Sequence, residues 1–209
     1  DLLVAPDFLW YFRATAWLLE SSGNCRTEKD PSLFCVSAWN DNGFQVSDEK
    51  RLFRTDYFPG LGWMIQNSTW SHLRQVWPRF PSTGWDHWLR HGSGLRPREC
   101  IVPEVSRTHH FDTSGTNVKA GSELAKKLER MATSRLPPKQ LGDLSYLLHD
   151  DYEAKLMELA RGAKLISGSQ LGGLKGNEVY LLPYIRSEYS TLAKQLQISV
   201  AQPRTAHRG

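Results

Sequence analysis

Seven consecutive residues, Trp85-Asp86-His87-Trp88-Leu89-Arg90-His91, set a carboxylate, two imidazoles and a guanidinium among two indoles. A carboxylate that indoles partly shield from water can have a raised pKa and take a proton from a hydroxyl as a general base. The same residues equally suit a short helix that Asp86 caps and whose tryptophans pack inward. His87 and His91 are four apart and would share one helix face, as zinc ligands do, and His109-His110 could complete such a set. No His-Glu-x-x-His string supports it. His149-Asp150-Asp151 is also metal-like, yet carboxylates at a helix start offset the N-terminal dipole, and that is the role expected of them. Asp1 stands just before an apolar run, and nothing local makes it more than a surface acid. Gly-x-Ser-x-Gly, P-loop and Gly-x-Gly-x-x-Gly strings are absent.

The elements that position these residues can be read from periodicity and punctuation. Pro6 followed by Phe8, Phe12, Leu18 and Leu19 predicts a helix to about Ser22. Phe34 to Ala38 is a β-prone run closed by the turn Asn40-Asp41-Asn42-Gly43. Pro59-Gly60-Leu61-Gly62 is a tight turn with two glycines free to take positive φ. Helices are expected after Ser68 and over Trp85–His91, and a strand over Cys100–Val102 that Pro103 stops. Beyond Phe111 the composition shifts to a Gly/Ser/Thr-rich stretch, 112–121. Helices at 122–131, 141–148, 152–161 and 187–196 follow, with a strand at 178–184. No Trp occurs after Trp88. The organisation expected is an α/β catalytic portion over 1–112, a loop and linker over 113–137, and a small α+β domain over 138–209.

Composition narrows the function classes. The 209 residues are 40% hydrophobic and 23% charged, with a net charge of +4, which is ordinary for a globular chain. No Lys/Arg cluster with interleaved aromatics marks a nucleic-acid groove, so no nucleic-acid partner is expected. Eight Trp, seven Tyr and eight Phe are the deviation; indoles offer flat apolar contact with a polar handle, which suits sugar faces as well as cores. No stretch reaches the roughly 18 apolar residues of a membrane span. The chain opens on Asp1 without an initiator Met, and we expect it to be a piece of something longer. Cys25, Cys35 and Cys100 lack metal-pair spacing; two of them bridged, or all three as buried thiols, both fit.

Five strings in order resemble the N-acetylglucosaminyltransferase I family and its protein-O-mannose relative. They are Asp-Leu-Leu-Val-Ala-Pro-Asp-Phe at 1–8, Phe-Cys-Val-Ser-Ala-Trp-Asn-Asp-Asn-Gly at 34–43, Phe-Pro-Gly-Leu-Gly-Trp at 58–63, Trp-Asp-His-Trp-Leu-Arg at 85–90 and Arg-Glu-Cys-Ile-Val-Pro-Glu-Val-Ser-Arg-Thr at 98–108. The resemblance implies the C-terminal part of a GT-A-like nucleotide-sugar transferase domain. It implies an inverting enzyme that moves GlcNAc from UDP-GlcNAc to O2 of an α-mannose on N-glycans, with Mn²⁺ as cofactor. O-linked mannose is the alternative acceptor, and an incomplete sugar-binding piece the alternative state. By the same resemblance Asp86 is the general base, and Trp85, Arg90 and Arg98 line the substrate site. Gly115 and Asn117 lie in a loop over the donor, Asp1 is the manganese ligand, and Cys35 pairs with Cys100 in a disulfide, leaving Cys25. The implied location is the Golgi lumen, behind an upstream membrane anchor.

Overall fold

A computed structural model describes residues 2–22, 27–28, 30–44, 48–82, 84–91, 98–111, 118–139, 141–176 and 178–198. It is a mixed α/β structure in two compact units that divide after Leu147.

The first unit begins with strand β1 (Leu2–Val4) and helix α1 (Phe8–Leu19). α1 buries Tyr11, Thr15, Leu18 and Leu19, a stripe at i, i+4, i+7 and i+8. Two short strands, β2 (Ser21–Ser22) and β3 (Thr27–Glu28), pair antiparallel. The main sheet holds β4 (Leu33–Ser37), β5 (Leu52–Thr55), β6 (Trp63–Met64) and β7 (Glu99–Pro103) in the order β5-β7-β4-β6. β4 and β7 run parallel at its centre, while β5 and β6 flank them antiparallel. Every residue of β4 and β7 is buried, as expected of central strands covered on both faces. Helices α2 (Asn67–Val76) and α3 (Trp85–His91) add Leu73 and Leu89 to a cluster with Phe34, Phe58, Cys35 and Cys100. Strand β8 (Thr108–His110) pairs antiparallel with β1, Leu2 facing His110, and α4 (Glu123–Glu129) is capped by the Ser122 hydroxyl.

Two buried guanidiniums tie this unit together. Arg54 of β5 donates to Glu99 Oε2 at 2.5 Å, Asp30 Oδ2 at 2.6 Å, the Leu147 carbonyl at 2.7 Å and the Ser32 hydroxyl. Arg107 donates to Asp7 Oδ2 at 3.1 Å and to the carbonyls of Val105 and Glu49. Asp7 gives one carboxylate oxygen to Arg107 and makes no side-chain cap on α1. Tyr146 closes the unit by bonding the backbone of Leu52.

The helix expected over 141–148 is replaced by a single 3-10 turn at Ser145–Leu147. Gly142 takes φ +73°, and the Asp143 carboxylate accepts from both the backbone and the hydroxyl of Ser145. This local bonding competes with helix.

The second unit holds α5 (His149–Gly162), β9 (Lys164–Leu165), β10 (Tyr180–Leu181) and α6 (Tyr189–Gln195). Asp150 and Asp151 lie in the first turn of α5, where the sequence placed them. The strand expected over 178–184 is reduced to two residues paired parallel with β9. None of the described helices is long and apolar enough to cross a membrane.

Candidate active site

α3 carries the site's charged pair. Asp86 lies in its first turn, where a carboxylate meets the positive end of the helix dipole. Its Oδ2 accepts from Arg90 Nη1 at 2.7 Å, an i,i+4 pair with the acid on the N-terminal side, the favourable order. Arg90 is held from three sides: Nε donates to the Phe58 carbonyl at 3.0 Å, and its guanidinium lies 4.8 Å from the Tyr57 ring centre. A Cβ on Gly60 would come 3.9 Å from its Nη2. The Asp86 side chain remains 35% exposed. Its partner is the Arg90 guanidinium.

The indoles instead stack on one another. Trp85 lies near-parallel to Trp63 at 6.2 Å and to Trp77 at 6.4 Å, and Trp77 meets Trp88 edge-on at 5.0 Å. Phe58 packs edge-on to both Trp63 and Trp85. Trp85 is still 42% exposed, so it presents an open aromatic surface beside Asp86.

The turn below Arg90 needs its glycines. Gly60 and Gly62 take φ +88° and +93°, and a Cβ on Gly62 would sit 2.9 Å from Thr108 Cγ2. Thr108 in turn donates to the Leu61 carbonyl at 2.7 Å, and Ala38 N–H to Gly62 O at 2.8 Å. The turn is thereby fixed at the carboxyl end of β4, the end where open α/β sheets hold ligands.

Residues 39–44 follow β4 at that same end. Trp39 is 1% exposed and packs with Leu128 and Met131, against Leu61 and Val118. Asn40 is braced from the β7 side: its N–H reaches the Ser106 hydroxyl and its amide the Glu104 carbonyl. Asp41 Oδ1 accepts from Trp39 Nε1 at 3.3 Å, whereas Oδ2 is buried without a partner. Burial pushes the Asp41 carboxyl above its ordinary range, against the pull of Lys127, the Trp39 bond and Arg90. Burial likewise lowers Lys127, with Asp41 opposing. Burial raises the Tyr57 phenol; Arg90 draws it down, and Asp41 and Asp86 push it further up. Asp41, Tyr57, Asp86, Arg90 and Lys127 thus share one electrostatic neighbourhood.

Trp85, Asp86 and Arg90 all lie on α3, with Asp86 and Arg90 paired. Arg98 stands directly before β7, at the amino end of the parallel pair, the end away from residues 39–42. Asp1, Gly115, Asn117 and Cys25 lie outside the described residues; Val118, within the loop and linker expected over 113–137, packs beside Trp39 and Leu61. Cys35 and Cys100 are register partners on β4 and β7, 4.7 Å apart at Cα and in disulfide contact. Among the described residues no three His, Cys, Asp or Glu gather as a metal-binding group; the side chain of His91, the partner of His87 in the zinc set that spacing allowed, lies outside the described residues. Asp41, Tyr57 and Lys127 were missed by the sequence reading. Asp41 had a signal, an acid inside a turn that follows a buried strand.

Comparison with known proteins decides the kinship. The model of the GNT-I family matches residues 1–209. The chain belongs to the GNT-I family. It is 37% identical over 174 residues to the Alpha-1,3-mannosyl-glycoprotein 2-beta-N-acetylglucosaminyltransferase of Arabidopsis thaliana, a match that takes in 82% of this chain. The chain spans 36% of that protein's length. The Asp86–Arg90 pair and its aromatic wall are therefore features of a GNT-I family chain.

Proposed function

We propose that the protein is an inverting β-1,2-N-acetylglucosaminyltransferase, taking GlcNAc from UDP-GlcNAc to O2 of an α-mannose on N-glycans. The observation that carries this reading is the Asp86–Arg90 pair, open to solvent beside the exposed Trp85. The relative's printed name, for an enzyme acting on a mannosyl-glycoprotein, supports the substrate class.

The reaction is a single displacement. The mannose hydroxyl attacks the anomeric carbon of GlcNAc in line, the bond from that carbon to the diphosphate breaks, and UDP leaves with the electron pair. Asp86 takes the hydroxyl proton, within the hydrogen-bond reach a general base needs. Arg90 positions that carboxylate, its own place fixed by the Phe58 carbonyl and the Tyr57 ring. Trp85 offers an apolar face to a sugar ring. One step through one carboxylate inverts the anomeric centre and needs no covalent intermediate.

The described residues do not by themselves make a metal cage. A single carboxylate, Asp1, suits Mn²⁺ when diphosphate oxygens and water supply the remaining hard ligands; bound there, the ion would offset the charge of the leaving diphosphate. The fold reading that goes with this function is a GT-A-like domain with a small C-terminal domain. A Cys35–Cys100 disulfide suits an oxidising lumen, in keeping with a Golgi enzyme held by an upstream anchor.

The test is Asp86→Asn in the full-length protein, assayed with UDP-GlcNAc and a mannose-terminated N-glycan. Transfer should fall by at least 100-fold, the lower range for general-base catalysis, with donor binding retained. Turnover that survives the change would remove Asp86 from the role of base, and wild-type protein without transfer would sink the function itself.

A further inference from the structure

Of the six asparagines in the chain, one stands in an Asn-x-Ser/Thr string, Asn67-Ser68-Thr69. That string is the acceptor signal for N-linked glycosylation of secretory proteins, and the reaction described above does not use it. Three residues arise readily by chance, so their place in the fold has to decide. α2 opens on them. An asparagine at a helix start ordinarily caps the helix with its own side chain. Here the cap position belongs to Gln66, which makes no side-chain cap. Asn67 stands one position further in and is exposed, as is Ser68, whose hydroxyl donates to Gln66 Oε1 at 3.0 Å. The acceptor side chain is in the open, where an attached glycan leaves the packing of α2 undisturbed.

Two further observations bear on the site. Trp70 is three positions on, shares a helix face with Asn67 and is 43% exposed, its ring edge-on to Trp77 at 5.8 Å. So open an indole beside the acceptor offers the apolar face of a first sugar a surface to lie on. Thr69, by contrast, is 8% exposed, so the finished fold hides one residue that the glycosylating enzyme must read. The order of synthesis removes that obstacle. α2 packs Leu73 in a cluster with Cys35 and Cys100, and Cys100 follows Asn67 by 33 positions. Until β7 emerges, β4 lacks its parallel partner and α2 lacks its bed, and Thr69 stays accessible. The Cys35–Cys100 disulfide, suited to an oxidising lumen, then closes the core behind a string already read.

We propose that Asn67 carries an N-linked glycan, transferred from a lipid-linked oligosaccharide diphosphate before α2 folds. Asn67 Nδ2 attacks the anomeric carbon of the first sugar, and the bond from that carbon to the diphosphate breaks. The lipid diphosphate leaves with the electron pair, and Nδ2 gives up one proton. The inference goes beyond the transferase reading and shares with it only the lumenal location. It makes the protein a bearer of the same class of glycan on which it is proposed to act.

The experiment expresses the full-length protein in the secretory pathway of a eukaryotic host. The peptide containing Asn67 is read by mass spectrometry before and after peptide-N-glycanase in heavy-oxygen water, which converts a glycosylated asparagine to a labelled aspartate. The inference expects the labelled aspartate at position 67 in most molecules. Asn67→Gln should lose the modification, and so should Thr69→Val, which removes the hydroxyl and keeps the side chain's shape. Ser68→Ala should retain it. Reading one peptide separates this site from any other acceptor string in the full-length protein, and transfer from UDP-GlcNAc is assayed on the same material.

An unmodified Asn67 in protein whose Cys35–Cys100 disulfide has formed overturns the inference and leaves the transferase reading intact. The same result with both cysteines as free thiols overturns it together with the lumenal location. A modification that survives Thr69→Val is not one directed by this string, and also overturns the inference. A glycosylated Asn67 in a wild type that shows no transfer keeps the glycan and removes the transferase reading.

Discussion

Arg54 is the residue whose loss should cost the first unit most. Its side chain is wholly buried, with Asp30 and Glu99 at 3% and 11% side-chain exposure against it. Arg54→Met keeps a stem of similar reach and removes the charged head. Two carboxylates are then left near the sheet with no cation, and breaking a buried pair in this way costs about 3–5 kcal/mol. The Leu147 carbonyl loses its donor as well, adding about 1 kcal/mol. For a unit of this size each kcal/mol moves the melt by about 2–4 °C, so a fall of roughly 10 °C or more is expected. Urea unfolding followed by circular dichroism measures it, with an unchanged slope showing that stability and not compactness has altered. Asp30→Asn with Glu99→Gln, added to Arg54→Met, should recover a large part of the loss by removing the stranded charges. A single-variant cost below about 1 kcal/mol, the range of a solvated pair, would refute the argument.

Further outcomes follow from the same geometry. Burial alone would raise Asp30, but its bonds from Ser32 and Arg54 hold it below the ordinary aspartate value of 3.8. A depressed folded-state pKa gives stability that is complete above that value and lost as pH falls through the lower one. Acid titration of the melt should therefore show a limb below pH 3.8 that Arg54→Met largely lacks. Gly62→Ala forces a Cβ toward Thr108 at φ +93°; we expect a cost of about 1–3 kcal/mol in denaturant melts and weakened transfer. Cys35→Ala opens a link across 65 residues of chain, worth about 4 kcal/mol by chain entropy, and a melt in reducing buffer should fall by a similar amount. Arg90→Lys cannot serve Asp86, the Phe58 carbonyl and the Tyr57 ring together, so kcat should drop about 10–100-fold while donor binding holds.

The sequence disclosed elements where periodicity or punctuation was strong. α3, β4, β7 and the start of α5 fall where expected, because buried β-branched or aromatic runs and turn residues bound them. α1 was expected from Phe8 and Phe12, yet the buried face runs through Tyr11 and Thr15. The Tyr11 hydroxyl reaches the Ser37 carbonyl and the Thr15 hydroxyl its own helix, so polar groups pass as core once they are paired. β5 escaped notice because Arg54 lies at its centre, and a charge in a buried strand becomes intelligible only with Asp30 and Glu99 beside it. The site divides in the same way. Asp86 and Arg90 are four apart on one helix, so spacing alone gives their contact. Asp41 meets the neighbourhood of Arg90 and Lys127 only through tertiary structure, since 49 and 86 positions of chain separate them.

The stacked indoles of Trp63, Trp85 and Trp77 have an optical consequence. Rings with centres 6.2 and 6.4 Å apart and planes within 21° and 24° of each other lie close enough for their transition dipoles to couple. Coupled chromophores split one absorption band into two of opposite circular-dichroism sign, a signature that a lone indole does not give. Trp85 is the member open to solvent, so a sugar ring settling on it would shift the stack and alter that couplet. The protein thereby holds an unlabelled spectroscopic gauge of occupancy beside its candidate base.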